Sequence, residues 1–243
     1  KALQLCGVFC FISIDFIMHN MNTISSSTKK DQINAIVIGG TGATGQKLIS
    51  RLLNNDSYGK VTSIGRKPVI NGDKHDKLVD VIVDSLFDLA TTKEHWSNHD
   101  VFFNCVGTTR KRAGSAQEFV NIEYGISKEA SKMAFQAHIS HASLISAKGA
   151  NHDIWATNWI HPLLYMKTMG QKEQTIISDY TFNTVSIFKP GMLIRFPENK
   201  HFFERIVESN GSGLNVDILA SAMIRDAENV KSTDIKNSKR FFI

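Results

Sequence analysis

Apolar residues along the chain fall into short runs rich in β-branched side chains, separated by longer stretches with helical spacing. The short runs are 33–38, 61–64, 79–83, 101–106, 143–146 and 185–188. Apolar residues recur at helical intervals in 43–54, 115–137 and 163–178. A strand that is buried on both faces of a parallel sheet has this continuous apolar character, and helices supply the crossovers. The pattern therefore predicts an α/β fold, a doubly wound parallel sheet with helices on both faces.

The first residues of the chain do not fit this alternation. Residues 2–14 are apolar but too few to span a bilayer, and about as many as a signal-peptide core or a short anchor contains. Met18 and Met21 precede a polar tract, 22–32, with the composition of a disordered segment. We expect translation to start at one of these methionines, with a membrane tether as the alternative.

Three glycines follow the first apolar run at intervals of three: Gly39, Gly42 and Gly45. A strand that turns sharply into a helix and lets a pyrophosphate approach the helix N-terminus needs glycine at such positions. A glycine-rich surface turn is the alternative, but the preceding strand and following helix favour a dinucleotide loop. The loop assigns seven residues to cofactor binding: Gly39, Gly40, Thr41, Gly42, Ala43, Thr44 and Gly45.

Composition excludes several other functions. The net charge of +5 and the basic run 110–112 are too small to favour nucleic-acid binding over a solvated loop. Three cysteines, two of them in the leader, form no disulfide framework and disfavour secretion. Pairs of histidines at 95/99 and 138/141 have no third ligand nearby in sequence, so we predict no metal site.

The end of the second strand indicates which cofactor is bound. In a dinucleotide fold this position faces the adenine ribose, and an acidic residue there binds the 2′-hydroxyl. The chain has Arg66 and Lys67 instead, which favour a 2′-phosphate and hence NADP(H). The alternative is that both are surface cations that follow a strand. Asp84, after the third strand, either contacts the adenine ring or caps a helix over 86–90.

Several blocks of sequence together resemble a known family. They are the glycine loop GGTGATG, the strand end IGRK, and the segments CVGTTR (105–110), SAKGA (146–150) and FKPG (188–191), with Tyr165. Over residues 33–194 they look like an atypical branch of the short-chain dehydrogenases, the branch of the Tat-interacting oxidoreductase and its fungal mitochondrial relatives. The resemblance implies a Rossmann fold that binds NADPH through the glycine loop, Arg66 and Lys67. It also implies that Val106 and Gly107 line the cofactor and that Leu193 touches its nicotinamide end.

The chain departs from this family at its catalytic residues. In the wider superfamily a tyrosine transfers the proton that accompanies hydride transfer, and a lysine four residues later lowers the tyrosine pKa. Tyr165 matches the tyrosine, but Met169 stands at the lysine position. Lys167 faces away on a helix, and Lys172 shares the face of Tyr165 two turns further along, roughly 10 Å by helix rise.

The serine that orients the substrate carbonyl is also altered. Ser146 is present, but Ala147 stands where much of the superfamily has its catalytic serine. Neighbouring residues of a strand face opposite sides, so Ser146 is not expected to replace it without a twist. We assign Tyr165 and Ser146 as the candidate catalytic residues.

The segment 151–162 is longer than in the relatives and contains Trp155, Trp159, His152 and His161. Loops at this edge of such sheets cover the substrate site, so the segment is either an apolar lid or a partner-binding surface. Packing of the tryptophans onto the core is the alternative. Further along, 202–207 and 214–224 have helical spacing and are expected to close the substrate side, while 241–243 form a last strand or a docking tail.

Two functions follow. Residues 33–243 are expected to be a single NADP(H)-binding domain with weak or lost turnover, because Met169 replaces the lysine; the lead-in covers 1–32. The alternative is an active NADPH-dependent reductase of an unknown carbonyl substrate, with Tyr165 as proton donor. We expect a cytoplasmic protein, or a mitochondrial or endomembrane one if the apolar leader is real.

Overall fold

The computed structural model of the protein describes residues 32–70, 72, 74–194 and 213–242. In chain order its strands are β1 Ile33–Ile38, β2 Tyr58–Gly65, β3 Leu78–Ile82, β4 Val101–Asn104, β5 His141–Ile145, β6 Thr184–Phe188, β7 Met192–Ile194, β8 Gly213–Asn215 and β9 Ser238–Phe242. Seven of them form one sheet in the order β3-β2-β1-β4-β5-β6-β9, and every neighbouring pair is parallel. The strand order reverses between β1 and β4, which is where an open α/β sheet binds ligands.

The helices lie between the strands, as crossovers require. They are α1 Ala43–Leu53, α2 Arg110–Ala113, α3 Ala116–Val120, α4 Ile126–Gln136, α5 His161–Ser178 and α6 Val216–Thr233, with a 3₁₀ helix at Leu89–His95. A π-helical turn, Asn121–Gly125, joins α3 to α4 and interrupts what the sequence pattern predicts as one helix. Such π turns are rare and occur often at functional sites.

The two faces of the sheet are packed by different helices. Ala35 and Val37 of β1 point to the face covered by α1 and α6. Ile36 and Ile38 point to the opposite face, which α4 and α5 cover. This alternation along one strand explains why β1 is apolar at nearly every position. The predicted fold class, a doubly wound parallel sheet, is confirmed.

The sequence makes predictions about the leader and about the last segments of the chain, and the structure tests some of them. Residues 241–242 belong to β9, so the last-strand alternative is correct and the docking tail is wrong. The leader and the helix expected at 202–207 lie outside the described residues. No helix in the described part of the chain is long and apolar enough to cross a membrane.

A buried polar network ties β5, β6, β9 and α6 together. Nε2 of His141 lies 2.9 Å from Oγ of Ser186 and 3.6 Å from Oδ2 of Asp226, and Asp226 forms a 3.0 Å ion pair with Arg240. The serine and the carboxylate approach the same ring nitrogen, so this is not the relay of a serine hydrolase, which uses both nitrogens. Burial, assisted by the charge of Arg240, lowers the pKa of His141 to about 3.

This network predicts acid sensitivity. Between pH values of about 6.5 and 3 the unfolded chain protonates His141 but the folded chain does not, so folding stability falls as pH falls. Asp226, whose pKa burial raises, acts in the opposite direction near the acid end of that window. We expect His141→Gln to flatten the pH dependence of the unfolding free energy by about 1.4 kcal/mol per pH unit. His152→Gln, at an exposed histidine, is the control; equal slopes for wild type and His141→Gln in urea titrations would contradict the prediction.

Candidate functional site

The loop between β1 and α1 is shaped by close backbone contacts. Gly39 has a φ of 84°, and a Cβ there would lie 2.5 Å from the carbonyl oxygen of Cys105 at the end of β4. A Cβ on Gly45 would overlap the carbonyl oxygen of Gly39. Both positions therefore need glycine because a Cβ has no space there. Gly39 also needs it because its φ is positive.

The N-terminus of α1 suits a phosphate group. Gly42 is its N-cap and brings no capping side chain, and no residue of the first turn is acidic. A Cβ on Gly42 would lie 3.2 Å from the Gly39 oxygen, which is closer than an ordinary van der Waals contact, so the loop has little room for a side chain at this position. Free N–H groups and the positive end of the helix dipole bind anions. The residues present thus fit the pyrophosphate of a dinucleotide.

The cations predicted to select the cofactor lie beside this loop. Arg66 and Lys67 are exposed and directly follow β2, which pairs with β1 in parallel register up to Ile38 and Ile64. The segment after them is fixed because Asp80 accepts a 2.8 Å hydrogen bond from the N–H of Val69.

Asp84 is exposed after the carboxyl end of β3, on the same edge of the sheet. Its alternative role as a helix cap is wrong. The 3₁₀ helix begins at Leu89, so its N-cap is Asp88 and not Asp84. The side chain of Asp88 makes no capping hydrogen bond.

A cleft of about 400 Å³ opens beyond the carboxyl ends of β4, β5 and β6. It brings together five residues that the sequence assigned to the site: Val106, Gly107, Ser146, Tyr165 and Leu193. Met169 also lines it, which agrees with an i, i+4 relation to Tyr165 on α5. The chain regions that supply the cleft are far apart in sequence, so the parallel sheet is what assembles it.

Ser146 reaches the cleft in spite of the alternation argued from sequence. β5 ends at Ile145, so Ser146 lies just beyond the strand and the rule of opposite faces does not apply to it. Its hydroxyl donates a 2.5 Å hydrogen bond to Glu173, which also receives a 2.9 Å ion pair from Lys189. Because its proton is donated to Glu173, the oxygen of Ser146 is an acceptor toward the cleft.

Lys172 and Glu123 form a buried ion pair at the floor of the cleft. Their charged atoms are 3.1 Å apart, and their side chains are 1% and 2% exposed. The ammonium also donates to the carbonyl of Val106 at 3.2 Å, while Glu123 accepts a 2.6 Å hydrogen bond from the N–H of Thr108. Buried opposite charges at this distance compensate each other, so Lys172 contributes little net charge to Tyr165.

The tryptophans of 151–162 do not pack on the core. The exposed fractions of Trp155 and Trp159 are 69% and 94%, so the core-packing alternative is wrong. The start of this segment is nevertheless held against α5. The N–H of Asn151 donates to the carbonyl of Met166, and a Cβ on Gly170 would overlap the backbone of Asn151 and His152.

Cys105, next to the glycine loop, is buried as the apolar run predicts. Burial raises the pKa of its thiol to about 12, against a smaller opposing effect from Lys172. At about pH 8 this leaves roughly one thiolate in ten thousand, and the thiolate is the form that reacts. We therefore expect Cys105 to resist iodoacetamide in the folded protein and to react at once in denaturant. Peptide mapping separates it from Cys6 and Cys10, and rapid native labelling of Cys105 would contradict its burial.

Sequence reasoning missed the ionic residues of the cleft. The sequence patterns indicate neither Glu123 nor Glu173, and they place Lys172 roughly 10 Å along the helix from Tyr165. Intervals of seven and eight residues after Tyr165 place Lys172 and Glu173 on its helical face, which was the available signal. Glu123 gave no such signal, because its partner lies 49 residues away.

Comparison with known proteins identifies the family. The sequence profile described as NAD(P)H-binding matches residues 39–237, which is most of the chain. The chain belongs to this NAD(P)H-binding family. FMP52, a mitochondrial protein of Meyerozyma guilliermondii, is 30% identical over 174 residues, covering 71% of this chain and 70% of that protein. HTATIP2 of Rattus norvegicus is 28% identical over 166 residues, covering 68% and 65% of the two chains. The predicted resemblance is confirmed.

Solved structures agree at the level of the fold. The oxidoreductase ylbE from Lactococcus lactis matches with a TM-score of 0.60 at 15% identity, over 84% of this chain and 88% of that one. MoeE5 in complex with UDP-glucose and NAD matches with a TM-score of 0.61 at 13% identity, over 86% and 74%. At these identities the likeness concerns the fold alone, a parallel sheet with helices on both faces.

Proposed function

We propose that the protein is an NADP(H)-binding, oxidoreductase-like member of its family with weak or lost turnover. The observation that carries this proposal is the position of Met169. It lines the same cleft as Tyr165 and Ser146 but offers a thioether where a cation is needed.

The cofactor would run along the carboxyl edge of the sheet. The glycine loop and the start of α1 would hold the pyrophosphate, Arg66 and Lys67 would hold the 2′-phosphate, and Asp84 would contact the adenine. The nicotinamide end would meet four residues that line the cleft: Val106, Gly107, Tyr165 and Leu193. When bound, the cofactor supplies a hydride donor or acceptor; the residues named here bind it and orient it.

We expect weak turnover because the proton transfer that accompanies hydride transfer is slow. An ordinary tyrosine has a pKa of about 10, so roughly one in a thousand is ionised at neutral pH. In the superfamily a lysine at the position of Met169 supplies a cation to the tyrosine, and Met169 supplies none. We therefore expect proton transfer at Tyr165 to be slow.

An active NADPH-dependent reductase is the second candidate, with Tyr165 as proton donor. One observation favours it: Tyr165, the proton donor, lines the cleft together with Ser146, so a substrate carbonyl that enters the cleft can meet its hydroxyl. The two candidates share the cofactor site and differ only in rate.

The NADP preference is tested at Arg66. A guanidinium that binds a phosphate contributes about 1.5–3 kcal/mol, so Arg66→Ala should weaken NADPH about ten- to a hundredfold. NADH, which lacks the 2′-phosphate, should lose less than about threefold. Fluorescence titration with both cofactors measures this. Lys47→Ala, an exposed cation on α1, is the control. Equal losses for the two cofactors at Arg66→Ala would defeat the assignment.

The names of the relatives indicate where in the cell this chain is located. FMP52 proteins are named as mitochondrial, which supports a mitochondrial location for this chain over the cytoplasmic one expected from sequence. Imaging of the full chain with a C-terminal fluorescent tag tests this. Trp155 and Trp159 remain candidates for a lid or a protein-binding surface, because both are exposed next to the cleft-lining helix.

A further inference from the structure

Three aromatic rings form one wall of the cleft. The ring of Phe119 lies 5.4 Å from that of His161 and 6.1 Å from that of Tyr165, and the last two are 6.4 Å apart, centroid to centroid. All three residues line the cleft, and we call them the aromatic wall. Phe119 is fully buried, whereas His161 and Tyr165 are half-buried, so the surface that a ligand ring can reach is that of His161 and Tyr165. Aromatic pairs interact at ring distances of about 4.5–7 Å.

The rest of the cleft that lies within the described residues has both polar and apolar lining. Its apolar part includes Ile145, Met192 and Leu193, and Met192 is 51% exposed although it is an apolar side chain. Thioethers adapt to irregular shapes and make favourable contacts with ring edges. An exposed methionine in the same cleft as the aromatic wall gives an apolar ring a second surface on which to pack.

The charged groups of the cleft are already paired. Lys172 and Glu123 compensate each other at 3.1 Å, and Glu123 is further bound by the N–H of Thr108. The carboxylate of Glu173 holds the hydroxyl of Ser146 and the ammonium of Lys189. Within the described part of the chain, the cleft therefore has no uncompensated cation for a substrate carboxylate or phosphate, and burying such an anion unpaired is costly.

We propose that the substrate half of the cleft binds an uncharged aromatic carbonyl compound or the corresponding alcohol. This inference rests on the proposed function, because it assumes that the cofactor fills the other half. The ring of the ligand packs on the aromatic wall and against Met192. Its oxygen faces Tyr165 and the oxygen of Ser146, which accepts a hydrogen bond from an alcohol.

Binding of alcohols to the NADPH-loaded protein tests the proposal without turnover. The alcohol and NADPH are both in the reduced state, so no hydride can pass between them. Calorimetry on the NADPH-saturated full chain compares 4-methylbenzyl alcohol with 4-(hydroxymethyl)benzoate, which has a similar shape but carries a charge. We expect the methyl compound to bind at least about tenfold more tightly. Benzyl alcohol should also bind more tightly than cyclohexylmethanol, by about threefold or more.

A matched pair of variants locates the site. His161→Leu keeps an apolar side chain but removes a half-buried ring of the wall that a ligand can reach, and it should abolish the preference for benzyl alcohol over cyclohexylmethanol. Phe135→Leu removes a half-exposed ring on α4 that packs on Tyr180 and Phe182, and it should leave that preference unchanged.

The outcomes separate the inference from the proposed function. Failure of folded wild type to bind NADPH would refute the proposed function. NADPH binding with equal or tighter binding of the carboxylate would overturn the inference alone. Absence of binding by all the alcohols to the NADPH-loaded protein would overturn it as well.

Discussion

Gly42→Val is expected to weaken NADPH binding at least about a hundredfold while the protein stays folded. Gly42 has φ −75° and ψ 165°, an extended conformation that valine adopts without strain. Its added methyl groups would occupy the approach to the first N–H groups of α1, where the pyrophosphate must come within hydrogen-bonding distance. Fluorescence titration with NADPH measures the loss, and circular dichroism verifies folding.

The control for this change is Gly125→Ala. Gly125 has helical dihedrals, and a Cβ there would have no atom within 4 Å, so alanine should be neutral or slightly stabilising. Its NADPH affinity should equal that of wild type. A folded Gly42→Val protein with an affinity within about threefold of wild type would show that the glycine loop does not hold the cofactor.

Met169→Lys should raise any NADPH-dependent reductase rate about ten- to a hundredfold. A cation one helical turn from Tyr165 lowers the pKa of the phenol, and a drop of about two units makes the neutral phenol about a hundredfold stronger as an acid and so a better proton donor to the carbonyl oxygen. Met169 is buried in the cleft wall, and its side chain is of lysine-like length. Initial rates of NADPH oxidation with benzaldehyde measure the change. Met169→Leu, which adds no charge, should leave the rate at the wild-type level.

Tyr165→Phe decides between the two candidate functions. If the missing cation has already removed most of the chemistry, wild type and Tyr165→Phe should be equally slow, and the gain of Met169→Lys should vanish in the double variant. A wild-type rate that falls tenfold or more in Tyr165→Phe would instead establish the active reductase.

Local patterns in the sequence predict the parts of this protein that depend on neighbours along the chain. Strand β1, the glycines after it and the start of α1 follow one another directly, so their spacing carries the information. The same holds for Tyr165 and Met169, which face one side of α5. These predictions need only the periods of strands and helices.

Contacts between distant segments are what the sequence leaves open. The pair of Lys172 and Glu123 joins α5 to the π-helical turn, and the buried bond of Ser146 to Glu173 joins the end of β5 to α5. The position of Ser146 depends on β5 ending one residue earlier than the apolar run suggests. Strand ends are set by tertiary packing, so periodicity locates them only to within a few residues.

The sequence also does not predict which apolar side chains are exposed to solvent. Trp155 and Trp159 in an inserted segment fit a buried cluster and an exposed surface equally well, and the structure decides for exposure. The short strands β7 and β8 are three residues each, so neither has the length that a periodic pattern requires. Among the described residues they pair with one another.

The most direct test of the central claim is a fluorescence titration of the folded full chain with NADPH and NADH, beside Met169→Lys. We predict saturable NADPH binding by both proteins, with NADH at least about tenfold weaker. That result would establish an NADP(H) site that does not depend on the catalytic cation. Absence of saturable NADPH binding by folded wild type would contradict the proposal that this chain is a cofactor-binding protein.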